Sequence, residues 1–405
     1  MSLNDTPSSE RIRIGIFGKR NAGKSSLLNA ITGQKAALVS ETKGTTTDPV
    51  YKAMELLPLG PVLLMDTPGL DDEGDLGRLR AKKSRELLQK TDLALLVVDI
   101  TVGMDPTDQQ LERELKERNI PFLRIYNKCD LEEELPVQKA PKDLCVSART
   151  GRGMEELKSR LAALLPQGRP QKRLVGDLLK PLDLAVLVVP IDKSAPKGRL
   201  ILPQQQTIRD ILEAGAASVV VRDTELKNIL ELLSKKPKLV ITDSQVFEQV
   251  GKEVPKDILL TSFSILFARY KGSLSQAVAG VRALEELREG DQVLIAEGCT
   301  HHRQCEDIGT VKLPCWMSAY TGKKLKFSFA SGTDFPEDLS SYGLVVHCGG
   351  CMLSEREMQC RLAQAAGEGV PVTNYGILIA FMKGILKRSL EPFPEMAALL
   401  DGGTA

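Results

Sequence analysis

Two groups of residues, separated by most of the chain, have the types and spacing to do chemistry. The first is Gly18-Lys-Arg-Asn21-Ala-Gly23-Lys24-Ser25-Ser26, a glycine-rich turn between the apolar run 11–17 and a helix that starts at Ser25. In that context Gly18 and Gly23 let the backbone curl so that its N–H groups face a phosphate at the positive end of a helix. Lys24 then reaches the β- and γ-phosphates, and Ser25 ligates Mg2+. The second group is Cys299-Thr-His301, answered by His347-Cys348-Gly-Gly-Cys351. These are sulfur and imidazole donors at metal-ligand spacing.

The remaining nucleotide contacts follow in chain order. Val62-Leu-Leu-Met-Asp66 is an apolar strand ending in a carboxylate that can hold Mg2+ through water, and Gly69 offers an N–H to the γ-phosphate. Strand 122–126 leads into Asn127-Lys128-Cys129-Asp130. The Asp130 carboxylate can accept from both N1 and N2 of guanine, whereas adenine has no matching donor pair and a buried mismatch leaves polar groups unpaired. Ser147-Ala148 supplies a backbone N–H toward guanine O6. Together these segments set aside a chance glycine turn and point to GTP with Mg2+.

The elements that must position these residues are α/β throughout. At 405 residues the chain exceeds one core, and we divide it into 1–168, 169–263 and 264–405. The first part closes with a helix over 154–165 and a linker at 167–170. In the second, apolar runs at 184–190, 217–222 and 238–242 alternate with helices at 204–213, 225–233 and 245–250, joined early by a loop over 192–198. That pattern predicts a small, mostly parallel sheet whose exposed edges a second subunit covers, hence dimerisation. In the third, strands 291–298 and 343–346 deliver Cys299 and His347-Cys348 at their ends.

Composition narrows the class. The 54 basic and 53 acidic residues balance, which argues against nucleic acid and against a membrane surface. Residues 1–10 lack the apolar run of a signal peptide and no stretch reaches a membrane span, so a cytoplasmic protein is expected. Eight cysteines are too few for a disulfide scaffold at this length. Three of them, Cys299, Cys348 and Cys351, fit one centre with an exchangeable fourth ligand. Tetrahedral zinc completed by His301 or His347 stays open, as does a role for each histidine in hydrogen-bonding a ligand sulfur. Cys305, Cys315 and Cys360 are expected to be buried apolar residues, and Cys129 and Cys145 to be packing residues.

The nucleotide segments resemble those of small GTPases, and more narrowly the translation- and modification-associated group of the TrmE and Era type, which carries Gly-Thr-Thr before the second strand. Here that segment is Gly44-Thr-Thr46-Thr-Asp48. The resemblance implies that Thr46 closes on Mg2+, and that Asn21 helps hold the K+ of potassium-activated members, so that Lys24, Thr46 and Asn21 carry the catalytic roles. Position 70 is Leu70, not a glutamine, so intrinsic hydrolysis is expected to be slow. Switch II is expected at 70–79.

Over its whole length the chain resembles the GTPase-type maturation factor of the [FeFe]-hydrogenases. Cys299, His301, His347, Cys348 and Cys351 match that family's Cys-x-His and His-Cys-x-x-Cys signature one by one. The resemblance implies a GTPase domain, a small α/β dimerisation domain and a C-terminal α/β domain holding a [4Fe–4S] cluster on Cys299, Cys348 and Cys351. Its fourth ligand would be Glu306, His301, His347 or water. It further implies a homodimer, a transient diiron subcluster precursor as cargo, delivery to apo-[FeFe]-hydrogenase, and radical-SAM maturases as partners. The competing reading is a ribosome- or tRNA-associated GTPase with a structural zinc domain.

Overall fold

Seven consecutive apolar-rich residues, Leu93–Asp99, form a strand buried on both faces. Leu93, Leu95 and Val97 enter one core with Ile14, Ile16, Leu27, Leu28, Leu157 and Leu161. Ala94, Leu96 and Val98 enter another with Phe17, Leu111, Leu115 and Phe122. The two-residue period of a strand produces this partition, and it requires helices on both faces.

The computed structural model describes residues 6–33, 50–67, 84, 86–132, 140–164, 172–191, 200–298, 307–332 and 334–400. The chain divides into two compact units, Met1–Pro170 and Gln171–Ala405. The switch segment with Thr46, residues 69–79 with Gly69 and Leu70, the linker at 167–170 and the loop at 192–198 lie outside the described residues. So do Cys299, His301, Cys305 and Glu306.

The first unit has six strands: β1 Ile12–Gly18, β2 Val50–Leu56, β3 Gly60–Asp66, β4 Leu93–Asp99, β5 Phe122–Asn127 and β6 Asp143–Cys145. Their order is β2-β3-β1-β4-β5-β6. Only β2 runs antiparallel to its neighbour; the other pairs are parallel. Helix α1 (Lys24–Thr32) follows β1, and α2 (Pro106–Glu117) starts from an Asp105 capping box with proline in its first turn. Helix α3 (Met154–Leu164) closes the unit. The loops after β1, β3 and β5 leave from the carboxyl edge of the sheet, where a doubly wound fold binds its ligand.

The second unit contains two four-stranded parallel sheets. In the first, β7 Leu184–Val188, β8 Ala217–Val221, β9 Leu239–Thr242 and β10 Leu259–Ser262 are ordered β10-β9-β7-β8. The sheet is wholly parallel, and β10 is a strand the sequence pattern did not single out. In the second, β11 Gln292–Glu297, β12 Lys326–Ser331, β13 Tyr342–His347 and β14 Val372–Asn374 are ordered β12-β11-β13-β14. One continuous core joins Val186, Leu187 and Ile241 of the first sheet to Val293, Ile295 and Val346 of the second. The opposite face of β11 packs Leu294 and Ala296 against Leu353, Met358 and Leu362. Four helices of this unit matter below: α4 Phe263–Lys271, α5 Leu313–Thr321, α6 Glu355–Gly367 and α7 Tyr375–Met382.

Cysteine placement corrects one expectation. Cys315 is exposed rather than buried. On α5 the inward residues are Leu313 and Met317, four apart, and Cys315 falls midway between them on the outer face. Cys129 is buried, as expected, while Cys145 and Cys360 are half-buried.

Candidate functional site

The glycine-rich turn is built by backbone conformations that few residues adopt. Gly23 has φ 90° and Asn21 φ 61°. A Cβ on Gly23 would lie 2.2 Å from the Asn127 side-chain nitrogen, so that position admits only glycine. Lys24, almost wholly buried, donates from Nζ to Gly18 O at 2.9 Å and Lys19 O at 2.7 Å, which holds its ammonium over the turn. Lys19 itself pairs with Asp105 at the start of α2.

Ser25 Oγ donates to Asp66 Oδ2 at 2.6 Å. Asp66 is buried and its other oxygen, Oδ1, has no hydrogen-bond partner among the described residues. Burial pushes the carboxyl above the ordinary carboxylate range, against the Ser25 hydrogen bond and the Lys24 charge. A hydroxyl and a carboxylate with an orphaned buried oxygen suit a hard divalent cation, and Ser25 and Asp66 therefore fit Mg2+.

Asn127 ties three loops together. Its Nδ2 donates to Ala22 O at 3.0 Å, and its Oδ1 accepts from Ala148 N at 3.0 Å. It thus positions the phosphate turn and the Ser147-Ala148 loop against each other. Ser147 Oγ donates to Asp130 Oδ1 at 2.6 Å, and that bond holds the Asp130 carboxyl below its usual range, charged and ready to accept. Lys128 adopts φ 68° and its Nζ lies 2.5 Å from Asp99 Oδ2. Asp99 at the end of β4 orients the Lys128 stem, a role the spacing alone did not reveal.

The sulfur site begins with strand pairing. β11 and β13 run parallel with Ala296 opposite His347, so the two chains leave the sheet side by side. Cys348 N donates to Ala296 O at 2.9 Å. Gly298, the residue before Cys299, donates from N to Cys348 Sγ at 3.0 Å, and Gly350 N does so at 3.3 Å. Two N–H donors on one sulfur favour a thiolate, although burial pushes the Cys348 thiol up; burial also pushes the Cys351 thiol up, to about 11. Gly350 has φ 63°, in the left-handed region that favours glycine, so the tight turn between the cysteines depends on that residue.

His347 is buried, with Nδ1 2.9 Å from Cys348 O and Nε2 3.0 Å from Arg361 Nη1. Arginine can only donate, so Nε2 accepts and the proton sits on Nδ1. Burial and the Arg361 charge push its pKa down to about 3. Both ring nitrogens are thereby engaged, and neither bonds a sulfur.

Sequence reasoning did not single out Arg361, Glu297 or Tyr375. Glu297 Oε1 accepts from Tyr375 OH at 3.3 Å at the end of β11. Their spacing carried no signal, because the packing of α6 and α7 beside β11 and β13 brings them to the site. Among the described residues no group of three or more metal-ligating side chains occurs. Cys348 and Cys351 are the described sulfur donors here, held on a hydrogen-bonded turn whose chemistry fits soft-metal or cluster ligation.

Three family models match the chain. They are the Hydrogen maturase F tetramerization domain over residues 275–392, the Hydrogen maturase F dimerization domain over 174–272, and the 50S ribosome-binding GTPase over 13–128. The first two together cover more than half of the chain. Among curated relatives, tRNA modification GTPase MnmE of Synechococcus sp. (strain JA-3-3Ab) is 36% identical over 168 residues, which are 40% of this chain and 36% of that protein. The same protein from Nitrosospira multiformis is 35% identical, over 38% of this chain and 35% of its own length. The chain therefore spans little more than a third of the length of these relatives. Among solved structures, Aquifex aeolicus Era bound to GDP and aluminium fluoride is 20% identical with a TM-score of 0.35, covering 55% of this chain and 98% of that one. The first unit is a P-loop GTPase domain, followed by two α/β domains.

Proposed function

Because the chain belongs to the hydrogen maturase F family, we propose that it is a GTP-hydrolysing scaffold and carrier for the diiron subcluster precursor of the [FeFe]-hydrogenase active site, which it delivers to the apo-hydrogenase. The observation that carries this reading is the pairing of β11 with β13, which sets Gly298 N against Cys348 Sγ. Two strand ends leave the sheet together, one continuing into Cys299 and the other into Cys348-Gly-Gly-Cys351.

In this reading Cys299, Cys348 and Cys351 hold a [4Fe–4S] cluster, which supplies an iron open to an incoming metal fragment. The chain's own residues do the rest. Gly298 and Gly350 donate N–H groups to Cys348, and Gly350 bends the turn. With His347 engaged on both sides, the fourth ligand is Glu306, His301 or water.

On the nucleotide side, Lys24 and the turn bind the phosphates, Ser25, Thr46 and Asp66 hold Mg2+, Gly69 senses the γ-phosphate, and Asp130 selects guanine with Ala148. Without a glutamine at Leu70, a K+ held in part by Asn21 supplies the charge that compensates the transition state. Hydrolysis is slow and faster in potassium than in sodium or lithium at matched ionic strength; equal rates in all three would remove Asn21 from that role. The protein acts as a cytoplasmic homodimer through its dimerisation domain and meets radical-SAM maturases. Protein purified without air that shows a broad visible absorption bleached by dithionite supports the scaffold reading. A colourless protein with about one zinc per chain favours the GTPase with a structural zinc domain.

A further inference from the structure

Adjacent residues of a strand point to opposite faces of the sheet. Along β13 that period separates the two members of the His347-Cys348 pair. Val345 packs with Leu294 and Met358 on one face, whereas Val346 joins the core on the other, and Cys348 packs against that same core. His347 falls on the face of Val345, where its ring lies 6.5 Å from the ring of Phe335. The imidazole therefore faces away from the sulfur next to it in the chain, toward α6.

What it meets there is Arg361. The guanidinium is almost wholly buried, 4.8 Å from the Phe335 ring centre and paired at 3.7 Å with Glu357, one turn earlier on α6. From one planar group, Nη2 donates to Gly332 O at 2.5 Å and Nη1 to His347 Nε2 at 3.0 Å. The acceptor nitrogen of the ring is thereby taken, and the remaining N–H, on Nδ1, is directed to Cys348 O at 2.9 Å. A hydrogen-bonded line runs from Gly332, just past β12, through Arg361 and His347 to the first peptide of the cysteine turn. At the turn's other end Lys271 Nζ donates to Cys351 O at 3.1 Å.

An arginine that only joined α6 to the end of β12 would be served by Gly332 O and Glu357. The contact with the imidazole does more, because it decides which ring nitrogen donates and to what. We propose that Arg361 is a positioning residue for the sulfur site: by occupying Nε2 of His347 it aims the other ring nitrogen at the Cys348 carbonyl, so that His347 braces the turn and takes no place among the ligands. This rests on the cluster reading above.

The test uses full-length protein reconstituted without air with ferrous iron and sulfide. Iron loss to a chelator is timed, and electron spin echo modulation of the reduced cluster detects nitrogen bound to iron. Asparagine at position 347 places an amide N–H where Nδ1 stands and needs no partner to fix a tautomer, whereas glutamine reaches the Nε2 position instead. Arg361→Met and His347→Gln each lose iron several-fold faster than wild type, while His347→Asn stays near wild type. Combining Arg361→Met with His347→Asn removes most of the loss that Arg361→Met causes alone, a rescue that an arginine acting only through packing would not give. Any nitrogen coupling in the wild type persists in His347→Asn, and GTP hydrolysis is unchanged in every variant. Wild-type iron retention in Arg361→Met or in His347→Gln overturns the proposal. So does a double variant that loses iron as fast as Arg361→Met, or a nitrogen coupling that vanishes in His347→Asn. Should Arg361→Met fail to fold, Arg361→Gln, too short to reach both acceptors, is read in the same way. A wild-type protein that takes up no iron overturns the cluster reading itself, and the role of Arg361 with it.

Discussion

Burial holds the Asp66 carboxyl above its ordinary value of 3.8, although Ser25 and Lys24 both act to lower it. A raised folded-state pKa means that this group's contribution to stability is fully present below pH 3.8 and is lost as pH rises through the folded value. The ionised carboxylate in the metal-free protein is therefore a buried charge with one oxygen unpaired among the described residues, a cost that Mg2+ relieves. Asp66→Asn is expected to raise the melting temperature in EDTA by a few degrees, about 1 kcal/mol, and to lower Mg2+-dependent hydrolysis on the order of 100-fold. A lower melting temperature in EDTA would contradict the assignment. Asp130 poses the opposite case, since the Ser147 hydrogen bond keeps it charged at an exposed position. Asp130→Asn should reverse the preference from GTP toward xanthosine triphosphate, whose O2 accepts where guanine N2 donates, on the order of 100-fold or more. Competition binding with the two nucleotides reads this directly, and an unchanged preference for GTP would remove Asp130 from base recognition.

The P-loop, the strands that feed it and the Asn127–Asp130 segment were legible because each combines an apolar run with a polar residue at its end. Their periodicity and their chemistry point the same way. The short elements were not legible. β14 has three residues and β10 four, too few to set a pattern, and β12, at the sheet edge, alternates only over Lys326–Phe329. The supporting side chains were hidden for a different reason. Arg361 lies fourteen positions after His347 in the chain and Lys271 eighty before Cys351, and only packing brings each pair together. Where an element is that tightly coupled, a single methyl is enough to disturb it. Gly23→Ala would strain the turn and displace the Asn127 amide that joins the phosphate loop to Ala148. We expect a loss of about 2–3 kcal/mol in nucleotide binding, roughly 30- to 150-fold in Kd. Titration with a fluorescent GDP analogue checks this, and wild-type affinity would show that the turn does not depend on Asn127.

At the scale of the molecule the nucleotide residues and the Cys348–Cys351 turn belong to different compact units, Met1–Pro170 and Gln171–Ala405. Lys24→Ala removes the phosphate-binding ammonium and should abolish measurable hydrolysis while leaving iron content at the wild-type level. Iron loss in that variant would show that nucleotide and cluster sites depend on each other for folding. No helix among the described residues is long and apolar enough to cross a membrane. The measurement that bears most directly on the scaffold reading is iron and sulfide content after anaerobic reconstitution of the wild type and of Cys299→Ala, Cys348→Ala and Cys351→Ala, each then offered to apo-hydrogenase. We predict about four irons per wild-type chain and loss of both the cluster and hydrogenase activation in every cysteine variant, with GTP hydrolysis intact. A Cys299→Ala protein that keeps its iron and its full power to activate the hydrogenase would contradict the account.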